Sequence, residues 1–277
     1  MTANLPLKSL LLSCLAFTAT AAASTINYVD FSSVSGLTLN GSTAQAGNVL
    51  RLTPANTGQS GSAFSTTTVG LNNLNSFSTR FQFRISGSGG IGDGDGAGAD
   101  GLVFVVQTVG NNVGGSGGGI GYQGINSSVG IEFDTYNNGP WDDFNNNHVG
   151  IDLNGNIDSV VQTGISPRFN DGNIWTSWVD YDGTTNSLEV RVNQTGVRPV
   201  LSTLSYTVNL AGVLGTTNAY VGFTSGTGSG YGNHDILNWE LDSDYAPIGN
   251  VPDTASTLPL LFIGLAGLSW LRRTRVG

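Results

Sequence analysis

The sequence predicts an all-β fold, a sandwich of antiparallel sheets, on three observations. Several segments alternate apolar and polar residues with the two-residue period of a half-buried strand. Gly, Asn, Ser and Thr cluster between those segments, where strands must turn, and glycine supplies 41 of 277 residues, about twice the ordinary ~7%. No long window repeats apolar residues at helical spacing.

The elements follow in order. Lys8, the apolar run Leu10 to Phe17 and the series Ala21-Ala22-Ala23 form the pattern of a secretory signal, residues 1–23, cut before Ser24. Cys14 in "LLSC" also permits a lipoprotein signal; once 1–23 is removed, the chain has no cysteine and must rest on its core and on metals. Residues 24–250 are read as one domain, with no internal repeat or Pro-rich linker. Phe77, Thr79, Phe81, Phe83 and Ile85 point to one side of a strand and Ser78, Arg80, Gln82 and Arg84 to the other. "GDGDGAGADG" from Gly92 reads as a mobile loop rather than a calcium repeat, because a single copy is weak. Leu102 to Val106 is apolar throughout, as a strand covered on both faces requires. Val179 to Tyr181 and Leu188 to Val192 flank the turn "DGTTN", and Leu237, Trp239 and Leu241 alternate near the end.

Charge narrows the partners. Residues 24–250 keep six of the ten basic residues, none a lysine, and eighteen of the nineteen acids, a formal charge of −12. Nucleic acid and anionic membrane surfaces are therefore poor candidates as partners. Cations and neutral sugars suit such a surface.

The chemistry concentrates in "IEFDTYNNGPWDDFNNNHVGIDL", Ile131 to Leu153. Val129, Ile131 and Phe133 alternate with Gly130, Glu132 and Asp134, so both acids leave one strand face roughly 7 Å apart. Val149, Ile151 and Leu153 alternate with His148, Gly150 and Asp152, which puts His148 on the same polar face when the apolar faces coincide. The 13 residues between, Thr135 to Asn147, exceed most hairpin loops. Converging carboxylates repel unless a cation or protons compensate. Glu132, Asp134, Asp143 and His148 suit a transition metal such as Mn²⁺; Asp134, Asp143, Asn138 and the Tyr136 carbonyl suit Ca²⁺. A polar hairpin in which Asp and Asn only cap turns stays open on composition alone.

"VGIEFDTYNN" followed by "WDDFNNNHVGIDLN" resembles the metal hairpin of the legume-type (L-type) lectins and their bacterial relatives. "LTLNGSTAQAGNVLRLTP", "GSAFSTTTV", "SFSTRFQFRI", "GADGLVFVVQ", "WVDYDGTTNSLEV", "VGFTSGTG" and "HDILNWEL" resemble further family segments in family order. The resemblance implies a concanavalin-like jelly-roll sandwich and metal-dependent carbohydrate binding without enzymatic activity. It implies that Glu132, Asp134, Asp143 and His148 hold Mn²⁺, and that Asp134, Asp143, the Tyr136 carbonyl and Asn138 hold Ca²⁺. Where relatives show Trp-Asp-Pro, this chain has Trp141-Asp142-Asp143-Phe144. The five-residue step to His148 selects Asp143, and adjacency to Trp141 selects Asp142.

The same resemblance places a sugar. Asp100 in "GADGLVF" matches the carbohydrate-binding acid, which follows a cis peptide in the family. Asn138 would donate its NH₂ to a sugar oxygen, and Gly121 a backbone NH. Tyr136 or Tyr122 would offer an aromatic face. Ser229 and Gly230, leading to Tyr231, stand where relatives set specificity, and His234 is expected to be structural.

Residues 251–277 combine "VPDT", the apolar run Leu258 to Leu271 and arginines 272, 273 and 275. The order resembles the bacterial PEP-CTERM sorting signal, which implies a processing enzyme, a membrane segment in the precursor, and export to the surface or medium of a Gram-negative bacterium. A plain tail anchor is the alternative. The expected partners are glycans or exopolysaccharide, with a homo-oligomer open. Two rival readings remain: a structural or adhesin module that binds no free sugar, and a sandwich glycoside hydrolase using Glu132 and Asp134. Against the hydrolase, the next position on their face is Tyr136 where a second Glu would be needed.

Overall fold

The computed structural model describes residues 26–72, 74–115, 117–142 and 144–249, so the signal and sorting segments lie outside the described residues. The first half of the chain supplies β1 (Ile26–Tyr28), β2 (Leu37–Gly41), β3 (Ala44–Ala46), β4 (Val49–Thr53), β5 (Ser60–Ser65), β6 (Val69–Gly70), β7 (Phe77–Gly90), β8 (Gly92–Asp93) and β9 (Gly96–Ala97). The remainder supplies β10 (Gly101–Gln107), β11 (Ser128–Asp134), β12 (His148–Leu153), β13 (Val161–Gly164), β14 (Trp175–Asp182), β15 (Ser187–Asn193), β16 (Leu204–Thr207), β17 (Asn218–Gly226) and β18 (Gly230–Asp242). One short helix, α1 (Leu210–Leu214), interrupts them, capped by the Asn209 side chain on Gly212 N and closed by left-handed Gly215.

Apart from the two-stranded β8–β9 hairpin, the strands form two antiparallel sheets. The back sheet runs β16-β15-β14-β7-β18-β4-β3, with β1 also on β18, and the front sheet runs β13-β12-β11-β10-β17-β5-β2, with β6 also on β17. Between them lies an aromatic core: Phe81 meets Phe223 at 5.0 Å, Phe83 meets Phe133 at 4.8 Å, and Phe223 meets Trp239 at 4.9 Å, ring centre to ring centre. Burying each such ring contributes about 1.5–3 kcal/mol. The expected alternation of β7 holds, with Phe77, Phe81, Phe83 and Ile85 in the core and Arg80, Gln82 and Arg84 on the outer face.

β10 is buried along its whole length, as its apolar run requires. Leu102, Phe104 and Val106 enter the inter-sheet core, while Val103 and Val105 enter a second cluster with Ile120, Tyr122, Ile125 and Ile157. The segment after β10 therefore folds back over the outer face of the front sheet. At the end of β18 the simple alternation of 237, 239 and 241 fails, because the pairing with β7 shifts register between Ile236 and Asn238. The bulge turns Ile236 into the core beside Trp239 and Leu241, and Leu237 is left half-buried. The segment from Gly92 is not a free loop either: β8 and β9 pair as a small hairpin, with Gly92 opposite Ala97 and Asp93 opposite Gly96.

On the outer face of the back sheet, Asp180 is 1% exposed and pairs with Arg198 at 2.5 Å and Arg191 at 3.5 Å. Burial raises its carboxyl, and the arginines oppose the rise. Among the described residues no helix is long and apolar enough to cross a membrane.

Candidate functional site

Strand register assembles the site. Gly101 of β10 lies between Asp134 of β11 and Gly226 of β17, and Asp134 pairs with His148 of β12. One row across the front sheet thus brings Asp100, the residue before Gly101, to the end where the 135–147 and 227–229 loops emerge. The loop length follows the reading of the sequence: β11 ends at Asp134 and β12 begins at His148.

Glu132, Asp134 and His148 converge, with one ligand atom from each within 4.8 Å of the others. They are 2%, 1% and 1% exposed. His148 Nε2 lies 3.0 Å from Glu132 Oε1. Behind them stand two residues the pattern did not single out, Ser159 and Asp152. The Ser159 hydroxyl lies 2.7 Å from Glu132 Oε1 and 2.6 Å from Asp152 Oδ1. One hydroxyl hydrogen can serve only one of these acids at a time. Gly150 makes room for the arrangement: a Cβ there would fall 2.4 Å from Glu132 Oε1.

These acids need a positive partner. The arginines of the domain are engaged elsewhere: Arg51 and Arg84 with Asp235, Arg168 with Asp95, Arg191 and Arg198 with Asp180, and Arg80 with Asn238. A buried carboxylate–imidazole set with a hydroxyl behind it has the donor chemistry of a divalent transition-metal site, and the residues fit such an ion.

The loop after β11 is held by its own polar groups. Asp134 Oδ1 accepts from Tyr136 N at 2.6 Å, Asn137 Oδ1 accepts from Gly139 N at 2.8 Å, and Asn137 Nδ2 donates to Phe144 O at 2.9 Å. Asp93, on the β8–β9 hairpin, accepts from Asn137 N at 2.8 Å. Arg168 clasps the far side of that hairpin by donating to the carbonyls of Asp95 and Ala97. Burial raises the Asp95 carboxyl to about 6, against the pull of Arg168. Asp143 lies outside the described residues, as does the side chain of Asp142.

Asp100 follows a cis peptide at Ala99, as the resemblance implies, and is 4% exposed. Its carbonyl accepts from Thr135 N at 2.8 Å and Thr135 Oγ1 at 3.0 Å, which ties it to the metal-loop strand. Gly228 faces it, since a Cβ there would stand 3.6 Å from Asp100 Oδ2. Ser229 is exposed and accepts from Ile91 N at 3.2 Å, and Gly230 packs on Ala99.

Gly121 is buried with φ +72° against Thr224 and Ser225 of β17, and Gly118 lies against Asn138: a Cβ on Gly118 would fall 2.9 Å from Asn138 Oδ1. The signal was the "GGG" of residues 117–119, which forms a short 3-10 turn. Tyr122 cannot offer an aromatic face, because it is fully buried and its hydroxyl bonds Ser128 Oγ at 2.8 Å. Burial, with Asp152 nearby, raises that hydroxyl far above its usual range. Tyr136 remains half-buried in the loop. His234 has the structural place expected of it: fully buried, its Nδ1 lies 2.6 Å from Ser225 Oγ and 2.8 Å from Thr53 Oγ1, and Ser225 donates to Gly101 O at 2.7 Å. Burial lowers its pKa to about 3, so the ring is neutral.

A two-sheet antiparallel sandwich with a buried carboxylate–imidazole cluster at one loop end defines the class: a carbohydrate-binding lectin domain. The chain belongs to the legume lectin family, whose domain model matches residues 23–256. Among solved structures, a lectin from Bauhinia forficata in complex with GalNAc superposes with a TM-score of 0.67 at 28% identity, covering 80% of this chain and 97% of that one. Peanut lectin superposes with a TM-score of 0.64 at 27% identity, covering 78% and 95%. These neighbours share the legume lectin jelly roll. An L-type lectin-domain containing receptor kinase (VIII.1) of Arabidopsis thaliana is 32% identical over 206 residues, 72% of this chain. The matched region is 27% of that kinase's length, so this chain spans about a quarter of it.

Proposed function

We propose that the domain binds glycans in a Ca²⁺- and Mn²⁺-dependent manner and works as an exported surface or secreted lectin. The observation that carries this is the single register row that sets Asp100 beside the buried Glu132–Asp134–His148 cluster, with Gly118 and Asn138 at the same end.

Glu132, Asp134 and His148, with Asp143 in preference to Asp142, would hold Mn²⁺; Asp134, Asp143, the Tyr136 carbonyl and Asn138 would hold Ca²⁺. When bound, the ions supply the positive charge that lets these acids share one buried place. The chain's own groups then do the recognition. The Asp100 carboxylate accepts from adjacent sugar hydroxyls, Asn138 donates its amide, and the Gly118 backbone, in place of Gly121, admits the ring closely. Tyr136 offers its apolar face, and Ser229 and Gly230 border the pocket and bias its selectivity. Because the similar Bauhinia lectin was solved with GalNAc, galactose-type sugars are the first ligands to try.

Export rests on residues 1–23 and 251–277, whose PEP-CTERM-like order implies delivery through the membrane of a Gram-negative bacterium and processing near Val251 to Thr254. Exopolysaccharide made by the same cell is a natural ligand class there, and self-association remains compatible with the fold. Fractionation of cells producing the full chain tests this, and a product that stays in the cytoplasm with both ends intact would refute it.

For binding, the purified chain is applied to a glycan array in Ca²⁺ and Mn²⁺ and again after EDTA. Metal-dependent binding that Asp100→Ala abolishes, with the fold retained, is expected; each charged hydrogen bond lost is worth about 1.5–3 kcal/mol. A folded domain that binds nothing in either condition would favour the structural-module reading instead.

A further inference from the structure

The connection between β15 and β16 holds apolar side chains in water. Val197, Val200 and Leu201 are 63%, 88% and 81% exposed, yet the backbone that presents them is fixed. Asn193 Nδ2 donates to Val197 O at 2.8 Å, Arg191 Nη2 to Val200 O at 3.4 Å, and Thr203 N to Val190 O at 2.7 Å. Between the two exposed valines Arg198 turns inward to the buried Asp180. The loop is thus pinned with its aliphatic side chains outward, the arrangement that marks a surface waiting for an apolar partner.

The described chain ends at the same place. Trp178 is the cross-strand neighbour of Arg191, and Gly249 lies over it, since a Cβ on Gly249 would stand 3.7 Å from Trp178 Nε1. The stretch after β18 reaches that point across the outer face of the back sheet. Ala246 N donates to Ser78 Oγ at 3.1 Å, and Tyr245, 45% exposed, lies within the field of Asp180 and Glu189. Val200 and Gly249 therefore each meet one member of the Trp178–Arg191 pair, and Tyr245 extends the apolar patch along the path of the chain. Residues 250–257 then lead to the apolar run Leu258 to Leu271, a reach of at most about 30 Å.

Charge favours the same face. Of the six arginines in residues 24–250, Arg51, Arg80, Arg84, Arg191 and Arg198 lie on the outer side of the back sheet. On an acidic domain this is the side that anionic headgroups repel least. Four exposed side chains hold a free domain to a bilayer only weakly, but so short a tether makes the contact intramolecular. Leu258 to Leu271 is apolar at nearly every position, more than four side chains could cover, whereas a bilayer covers the run and the patch together.

We infer that Val197, Val200, Leu201 and Tyr245 form a membrane-facing surface. It seats the domain, back sheet down, on the bilayer that its C-terminal segment enters, and leaves the front sheet and the Asp100 end clear. The inference rests on the proposed membrane segment in residues 251–277.

The test uses the full chain in vesicles of phosphatidylethanolamine and phosphatidylcholine that carry a nitroxide-labelled lipid. Cys14→Ser removes the single cysteine. Val197→Cys on the patch or Asn126→Cys on the front-sheet side, both exposed, then takes a fluorophore. Flotation with the vesicles reports insertion of the C-terminal segment. In chains that float, the label at 197 is expected to lose about half its emission or more and the label at 126 almost none. Adding Val200→Ser and Leu201→Ser should abolish the loss at 197 while flotation persists. Equal quenching at both positions, quenching at 197 that survives the serine substitutions, or none at 197 overturns the surface while the membrane segment stands. In the last case, a disulfide between two unlabelled Val197→Cys chains would assign the patch to a second copy. A folded chain that does not float overturns the membrane segment and the inference with it.

Discussion

Replacing Gly150 by Ala tests the metal cluster without replacing a ligand. The added Cβ would fall 2.4 Å from Glu132 Oε1 and 2.1 Å from Ser159 Oγ, where ordinary contact begins at 3.4 Å. The Glu132 carboxylate must therefore retreat by about 1 Å. That retreat opens its 3.0 Å contact with His148 Nε2 and its 2.7 Å contact with Ser159. Metal–ligand distances tolerate only about 0.2 Å, so Mn²⁺ affinity should fall roughly 10–100-fold, the range found when groups supporting metal ligands are disturbed. Crowding alone costs about 1–3 kcal/mol of stability. Gly130→Ala separates the two effects: its Cβ would crowd Val103 Cγ1 at 2.9 Å and the Tyr122 ring at 3.0 Å, and none of its three nearest atoms belongs to Glu132 or His148. Metal-stripped proteins titrated calorimetrically with Mn²⁺ should show weakened binding for Gly150→Ala and wild-type binding for Gly130→Ala, with both less stable. Wild-type Mn²⁺ affinity in a folded Gly150→Ala protein, or an equal loss in both variants, would refute the reasoning.

Asp93→Ala removes the acceptor for Asn137 N and should weaken Ca²⁺ binding about tenfold, as read by Tb³⁺ luminescence; unchanged affinity would show that the hairpin does not steady the loop. Arg198→Ala leaves the buried Asp180 with Arg191 as its one remaining arginine and should cost about 3–5 kcal/mol in a denaturant titration; a loss below about 1 kcal/mol would mean that Asp180 is not charged there. His234, with its pKa lowered to about 3 by burial, must stay neutral in the fold while the unfolded chain takes a proton below the ordinary histidine value of about 6.5. Its contribution is therefore full above pH 6.5 and is lost as pH falls from there toward 3, about 2 kcal/mol of it by pH 5. The raised Asp95 carboxyl opposes this trend weakly, because solvent reaches it. His234→Gln in metal-free protein should flatten the fall in Tm between pH 7 and pH 5, and an unchanged slope would assign the pH dependence to carboxylates.

Much of this molecule was legible in its residues because the signals are local. Strand alternation put Glu132, Asp134 and His148 on one face, and the spacing from Asp134 to His148 set the loop, since both depend only on a two-residue period and a hairpin that closes on itself. The core side of β7 and the double burial of β10 follow from composition over a few residues. What tertiary structure alone decided lies where distant segments meet. The bulge between Ile236 and Asn238 reverses a phase that alternation cannot foresee, because a bulge is settled by the partner strand. Ser159 joins Glu132 across 27 residues, and Asp93 reaches Asn137 across 44. Gly118 rather than Gly121 faces Asn138 because the segment after β10 doubles back over the front sheet and buries Tyr122 as its anchor. Side-chain alternation is inherited from the backbone's own geometry, whereas which loop atom meets which ligand depends on how far each loop travels before packing stops it.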